Sequence, residues 1–399
     1  MTEVVQSIPV YEGNVFSEEN LHDSRQMFKE LRDLGRLVWV PSLNVYVVAR
    51  YEDVKAGLRA NGTLISGEGV SMNPVTNSAA GEQASTLISD GDNHLRLKKI
   101  LMQPLSPAAI QDLKDRLSQL AEERIPHLTD GNTFDAMKEV ASLLPLNVVA
   151  EQVGIQNFGY EKMLAWSDAI FNAWGPAQSG EADPERMNAI QEFLQFLLGQ
   201  DRENLIPGGW GDKLFLAVDD GKLSEFEAQS LLGDYIVPSL DTTIYSMGQM
   251  LYGLATSPGA WDKFVANPEL SKNIVLESVR MATALRGFTR YAAEDYTVGD
   301  FVVPQGARVW LLNGAANRDE RKYPNPDTFD VDRKPVDQLA WGHGMHLCVG
   351  KHLAQLEMET ILNALHKHVG VIELAGEPTR IANTLAQGFE TLPMRFRSK

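Results

Sequence analysis

The period of the hydrophobic positions changes several times along the chain. In "RLVWVPSLNVYVVARYEDV", Arg36 to Val54, two short β-rich runs flank Pro41 to Asn44 and give way at about Tyr51 to a helical pattern, which predicts a hairpin feeding a helix. From Pro107 to about Gln200 apolar residues recur at three and four, as in Ile110, Leu113, Leu117 and Leu120, and Pro and Gly breaks divide the stretch into several predicted helices. A long helical pattern covers about Ser224 to Ala255, and another runs from Pro258 to about Thr283. "YTVGDFVVPQGARVWLL" then returns to alternation, with turn signals at Gly299-Asp300 and Gln305-Gly306. Strands do not alternate regularly with helices, so a doubly wound parallel sheet is not expected. The pattern predicts a mainly α fold with small β-sheets near both ends of the chain.

A length of 399 residues would ordinarily suggest two or three domains of about 150 residues each. The composition never shifts, however, and the Gly/Pro/Asp stretches Pro176 to Asp183 and Pro207 to Asp212 are short loops rather than linkers. One large domain over residues 1–399 is expected. The chain carries 36 Lys and Arg against 53 Asp and Glu, a net charge of -17, which argues against nucleic acid or an anionic membrane as partner. No apolar run approaches the roughly 20 residues of a membrane-spanning helix. The start, "MTEVVQSIPVYEGNVF", shows no secretory signal, and a single cysteine cannot form an internal disulfide, so a reducing cytoplasm is the expected compartment.

That cysteine, Cys348, lies in "LAWGHGMHLCVGKHLAQLE", a glycine-punctuated loop leading into a helix whose apolar side is Leu353, Leu356, Ile361, Leu362 and Leu365. Unpaired N–H groups near a helix N-terminus favour a thiolate, and the glycines let backbone approach a bound group closely. Three roles compete for it. It can pack as a small hydrophobe, or join His343, His346 and His352 in a mixed zinc site whose spacing fits no common zinc arrangement. It can also be the axial ligand of a haem iron, pushing electron density onto the metal to favour O–O cleavage.

The segment Trp341 to Gly350 resembles, position by position, the haem-binding signature of the cytochrome P-450 superfamily, with Trp341 where Phe is more usual. The resemblance implies a single-domain P-450 fold, haem b as cofactor and Cys348 as its proximal ligand. Other segments match the family in order. "LESVR" supplies Glu277 and Arg280, and "PNPDTFDVDRKP" supplies Arg333, which together imply a buried Glu-Arg-Arg network. His94 and Lys98 match the family's His-x-x-x-Arg element, and with Arg290 and His346 they are implied to bind the haem propionates. Lys98 lacks the bidentate fork of an Arg there. In "DYIVPSLDTTIYSMG", Asp241 and Thr242 match the acid-alcohol pair that handles dioxygen and its protons. The small residue and Gly usual before that pair are Pro238 and Ser239, and an interior Pro is expected to kink the helix.

Within that family the chain resembles a bacterial branch acting on small aromatic acids such as para-methoxybenzoate, through "NVYVVARYEDV", "FNAWGP", "NLIPGGWG" and "NTLAQGFETLP". By position, Leu87, Phe171, Trp174, Val237, Leu285, Phe288 and Phe389 are expected to line the substrate pocket, each with plain core as the alternative. The branch holds its acid with an Arg and serines one to two turns before the acid-alcohol pair. Here those helix positions are Gly233, Asp234 and Val237, so the carboxylate clamp is lost; Arg286 is a candidate replacement, with a propionate or Asp234 as its alternative partners. A neutral phenol or methoxyphenol therefore stands beside an aromatic acid. The resemblance implies a monooxygenase that uses dioxygen, with electrons from a ferredoxin and its NAD(P)H-dependent reductase docking on a basic patch around Arg96, Lys98, Lys99, Lys351 and His352. A peroxide-driven peroxygenase, a non-catalytic haem sensor and a zinc hydrolase are the rivals.

Overall fold

The computed structural model describes residues 7–78, 83–155, 160–176 and 183–399. Its axis is the helix Glu225–Thr256, which at 32 residues is about 48 Å long. A capping box starts it: Ser224 Oγ accepts from the Glu227 N–H while the Glu227 carboxylate accepts from the Ser224 N–H. Leu231, Leu232, Ile236, Leu240, Met247, Met250 and Leu251 are fully buried on several of its faces, the signature of a helix surrounded by others. Tyr160–Ala173, Pro184–Leu198, Trp210–Asp219 and Ser271–Ala282 pack against it, as does the cysteine-bearing side through Lys351–His368. Tyr235 ties it to the helix Gly91–Leu101 by donating to the Leu101 carbonyl at 2.8 Å.

Two sheets join distant parts of the chain. The hairpin read near the N-terminus forms, Val38–Val40 against Val45–Val48, and extends into a five-stranded sheet by pairing with Arg308–Leu311, then Thr289–Ala292, then Leu64–Ile65. The parallel pair in it is Val45–Val48 with Arg308–Leu311. The second sheet places Pro393–Ser398 between Asp130–Asp135 and Val369–Leu374.

Two expectations change. Asp130–Asp135 falls within the stretch read as helical; its sequence, DGNTFD, has no apolar alternation, and its extended state comes from pairing with strand Pro393–Ser398 more than 250 positions away. The pattern from Pro258 to Thr283 divides into Ala260–Ala266 and Ser271–Ala282, because Pro268 lacks the N–H a continuing helix needs and restricts Asn267 before it. The central helix, by contrast, runs unbroken through Pro238. Part of the loop Pro176 to Asp183 lies outside the described residues.

Candidate active site

The cysteine loop is held by backbone geometry before any side chain acts. Gly342 and Gly344 sit at φ 72° and 74°, where L side chains are strained, and a Cβ on Gly344 would lie 2.6 Å from the Leu58 carbonyl oxygen. The turn returns on itself through the Cys348 N–H, which donates to the Trp341 carbonyl at 2.9 Å. Beyond it the Gly350 and Lys351 N–H groups point at the Cys348 sulfur and favour its thiolate, against the stronger upward push of burial on the thiol pKa. Lys98 donates to the Met345 and Leu347 carbonyls, the latter at 3.0 Å, and its charge reaches Cys348. Lys98 thus braces the cysteine loop.

Three further basic groups gather beside it. The His94 and His346 rings lie 4.2 Å apart, and burial, with the charge of the buried Arg290 added to it, lowers the His346 pKa against the pull of Asp90. Burial, then the charges of His346 and Lys98, pushes the His94 pKa down to about 4; burial also brings Arg290 down to about 10. The helix Gly91–Leu101 positions His94, the strand Thr289–Ala292 positions Arg290, and the cysteine loop positions His346. Asp90, not singled out in the sequence, accepts from the Ser66 and Gly67 N–H groups and lies 3.7 Å from His346 Nε2. A cluster of cations suppressed by burial and mutual repulsion, with one acid among them, is suited to receive two carboxylates of a bound group.

The chemistry of the donor set fits haem. Cys348 and Leu347, although inside the molecule, keep accessible surface, as do Pro238 and Thr242 in the middle of the central helix. Accessible surface at these buried-side positions is what a large group held between the cysteine loop and the central helix would cover. Among the described residues no three His, Cys, Asp or Glu gather as metal ligands, so the mixed zinc set of His343, His346, Cys348 and His352 does not assemble.

On the central helix the Thr242 hydroxyl donates to the Pro238 carbonyl at 2.7 Å, leaving its oxygen free to accept. Asp241 is buried beside the Ser167 and Tyr245 hydroxyls, and its Oδ2 has no hydrogen-bond partner among the described residues. Burial, reinforced by the nearby Asp168 charge, raises its pKa to about 8. Asp168 is itself neutralised by Arg186 at 3.0 Å and accepts from Asn383 at 2.8 Å. Ser167 and Tyr245 carried no local signal beyond their places one helix away and one turn on.

The expected Glu-Arg-Arg network forms around a fully buried carboxylate. Arg280 grips Glu277 with two bonds of 2.7 Å, Arg333 Nε adds one at 3.1 Å, and the Asp330 N–H a fourth at 3.2 Å. Arg280 also donates to the Asn317 and Pro326 carbonyls, locking the segment that leads to the cysteine loop.

Of the pocket residues, Phe171, Trp174 and Phe288 come together in one aromatic run, with ring centroids 5.7 and 5.8 Å apart and Trp174 in the middle. Phe171 is buried behind it, Val237 is buried, and Leu87, Trp174, Leu285 and Phe288 keep partial exposure. Leu285 is bridged to Ala386. Phe389 packs on Tyr252 and under the Arg380 guanidinium, beside Gly248 further down the central helix. One assignment is corrected. Arg286 does not reach a ligand: all five of its N–H groups go to Ser24 Oγ and to the Asn383, Ala386, Leu21 and Asn20 oxygens. With no acid beside it, burial lowers its pKa to about 9. The basic patch is also thinner than expected, since Arg96 is paired with Glu227 and Lys351 lies over the Trp341 ring at 5.3 Å; Lys99 and His352 remain exposed.

Comparison with known proteins agrees with this geometry. The family model described as Cytochrome P450 matches residues 4–368. The protein named Cytochrome p450 CYP199A2, from Rhodopseudomonas palustris, is 32% identical over 369 residues, covering 92% of this chain and 89% of its own. The solved CYP108D1 from Novosphingobium aromaticivorans superposes with a TM-score of 0.80 at 26% identity, over 96% of this chain and 95% of that one. The CYP116B5 haem domain from Acinetobacter radioresistens shares the fold, with a TM-score of 0.86 at 20% identity over 97% of both chains.

Proposed function

This chain belongs to the cytochrome P450 family and is a haem-binding monooxygenase, and we propose that it inserts one atom of dioxygen into a small aromatic substrate, by hydroxylation or oxidative O-demethylation. Electrons come from a ferredoxin and its NAD(P)H-dependent reductase. The observation that carries the substrate reading is the aromatic run Phe171, Trp174 and Phe288 beside the partly exposed Leu87 and Leu285, a lining suited to a flat apolar ring.

Haem, when bound, would supply dioxygen activation at an iron tuned by a thiolate. Cys348 would provide that sulfur, with the Gly350 and Lys351 amides holding its charge. His94, His346 and Arg290 would hold the propionates, while Lys98 acts one step back by fixing the loop carbonyls. Asp241 carries its proton near neutral pH and stands next in sequence to Thr242, whose Oγ1 receives and passes on protons in the distal space. The Asp168 carboxylate, paired with Arg186, adds its charge to burial in keeping that proton on Asp241. No helix among the described residues is long and apolar enough to cross a membrane, and the surface around Lys99 and His352 receives the electron donor in aqueous solution.

The test is the absorption spectrum of the reduced protein under carbon monoxide, compared with Cys348→Ser. A strongly red-shifted Soret band that the variant loses is expected. Absence of that band in haem-loaded wild type overturns the reading. A screen of methoxylated, alkylated and hydroxylated aromatics, read by their displacement of iron-bound water, then tests the substrate class.

A further inference from the structure

The distal wall of the central helix holds a charge that the chemistry above leaves unused. Asp234 lies one turn before Pro238 and two before Thr242, at the i, i+4, i+8 spacing that keeps residues on one side of a helix. Its carboxylate accepts from Ser85 Oγ at 2.7 Å, from the Thr86 N–H at 2.8 Å and from Thr86 Oγ1 at 2.7 Å. The turn so anchored carries Leu87, whose N–H donates to Ser85 Oγ at 3.1 Å, and the Thr86 carbonyl meets His94 Nδ1 at 2.9 Å. Asp234 therefore joins the helix to the loop that passes between the propionate cluster and the substrate space. It is surrounded by protein yet keeps accessible surface, as do Leu87, Pro238 and Thr242.

What it lacks is a cation. No Lys, Arg or His pairs with Asp234 among the described residues, and the undescribed segments 1–6, 79–82, 156–159 and 177–182 contain none of these residue types. Arg286, the one basic residue with a claim to this region, has every N–H committed to protein oxygens. Burial correspondingly raises the Asp234 pKa. An anionic ligand placed against this wall meets like charge if Asp234 is ionised. If Asp234 is protonated, the same ligand is buried with no counter-charge. Both are unfavourable in a space of low dielectric. A hydroxyl or ammonium group meets the opposite situation: Oδ1 accepts one bond from Ser85 and retains a further acceptor direction, and an approaching cation would ionise the acid and pair with it.

We propose that Asp234 makes this enzyme select aromatic substrates bearing an uncharged or cationic hydrogen-bond donor, such as an aryl alcohol, phenol or aryl amine, and reject aromatic acids of the same shape. The proposal rests on the aromatic reading above and names the class of aromatic. Asp234 is a specificity residue rather than a mere brace for the 85–87 turn, and the two roles differ in what substitution changes: a brace affects every ligand alike, whereas a selector changes their order.

The experiment titrates the haem-loaded protein with 4-methoxybenzoate, its uncharged methyl ester, 4-methoxybenzyl alcohol and 4-methoxybenzylamine, following the Soret shift and confirming affinities by calorimetry. Wild type is expected to bind the alcohol and the amine at least tenfold more tightly than the benzoate, and more tightly than the ester, which is uncharged but offers no donor. In Asp234→Asn the ratio of amine to benzoate affinity is expected to fall at least tenfold, and in Asp234→Arg the benzoate is expected to become the preferred ligand of the four. Equal or tighter binding of the benzoate by wild type overturns the inference, as does an amine-to-benzoate ratio that Asp234→Asn leaves unchanged. The wild-type order is read without any variant, so a benzoate or an ester that binds as tightly as the alcohol overturns the inference even if the variants do not hold haem. Binding of none of the four overturns the aromatic reading and this inference with it, whereas a preference for the acid overturns this inference alone.

Discussion

Asp241→Asn should make this protein more stable and less active, and the two effects should separate by pH. In the unfolded chain the Asp241 carboxyl titrates near 3.8; burial in the native state moves it to about 8. Between those values the native protein holds a proton that the unfolded chain has released, so the Asp241 contribution to stability falls as pH rises through the window and levels off above about pH 8. At about 1.4 kcal/mol per pH unit, the burden at pH 7 is roughly 4 kcal/mol, a large fraction of the ~5–15 kcal/mol by which domains are stable. An asparagine carries no titrating proton, and its amide can engage the Ser167 and Tyr245 hydroxyls that flank the site. Urea unfolding of haem-loaded wild type and variant at pH 5, 6, 7 and 8, followed by far-UV circular dichroism, should show the variant gaining on wild type by about 1.4 kcal/mol per unit. Asp234 and Glu357, whose burial likewise raises their pKa values, titrate in both proteins and cancel in the difference. Turnover with the ferredoxin system should fall by roughly two orders of magnitude, the usual loss on removing a positioned proton donor. A stability difference that does not change with pH would refute the reasoning, because it would mean that Asp241 is already ionised in the native protein.

Glu277→Ala strands two guanidinium groups, one fully buried, and should cost about 3–5 kcal/mol in the same unfolding assay, whereas Arg333→Ala leaves the Arg280–Glu277 pair intact and should cost about 1–2 kcal/mol. Gly344→Ala forces a positive φ on an L residue and a Cβ against the Leu58 carbonyl; it should destabilise by more than about 2 kcal/mol and lower the haem retained after gel filtration. Arg286→Met removes five donors from buried oxygens and should lower the unfolding midpoint while leaving the order of ligand affinities unchanged. Trp174→Ala should weaken aromatic ligands in the Soret titration more than Phe389→Ala does, since only Trp174 stands in the aromatic run.

The parts legible in the sequence are those whose chemistry is local. A cysteine between glycines at a helix start, Glu and Arg one turn apart, and an Asp-Thr pair within a long helical pattern each need only a few neighbours to be recognised, and each assembles in the structure. The misread parts depend on partners far away in the chain. The strand Asp130–Asp135 is polar and extended only because Pro393–Ser398 lies beside it. Arg286 looked like an anion binder because an Arg near an apolar pocket usually is one. Its five carbonyl and hydroxyl acceptors come from residues 20–24 and 383–386, which no local pattern connects to it.

By itself the sequence determined the family, the glycine-bounded cysteine loop, the Glu277–Arg280 pair and the adjacent Asp241 and Thr242, because backbone turns at glycine and i, i+3 or i, i+1 spacings are written in consecutive residues. The tertiary structure decided what surrounds them. It gathered His94, Arg290 and His346 from three elements, moved Lys98 onto the loop carbonyls, committed every Arg286 N–H to protein oxygens, packed Phe389 on Tyr252 and left Asp234 without a counter-charge. Burial and pairing across long sequence separations set those outcomes, since whether a charge is compensated depends on which groups the fold brings within a few ångströms of it.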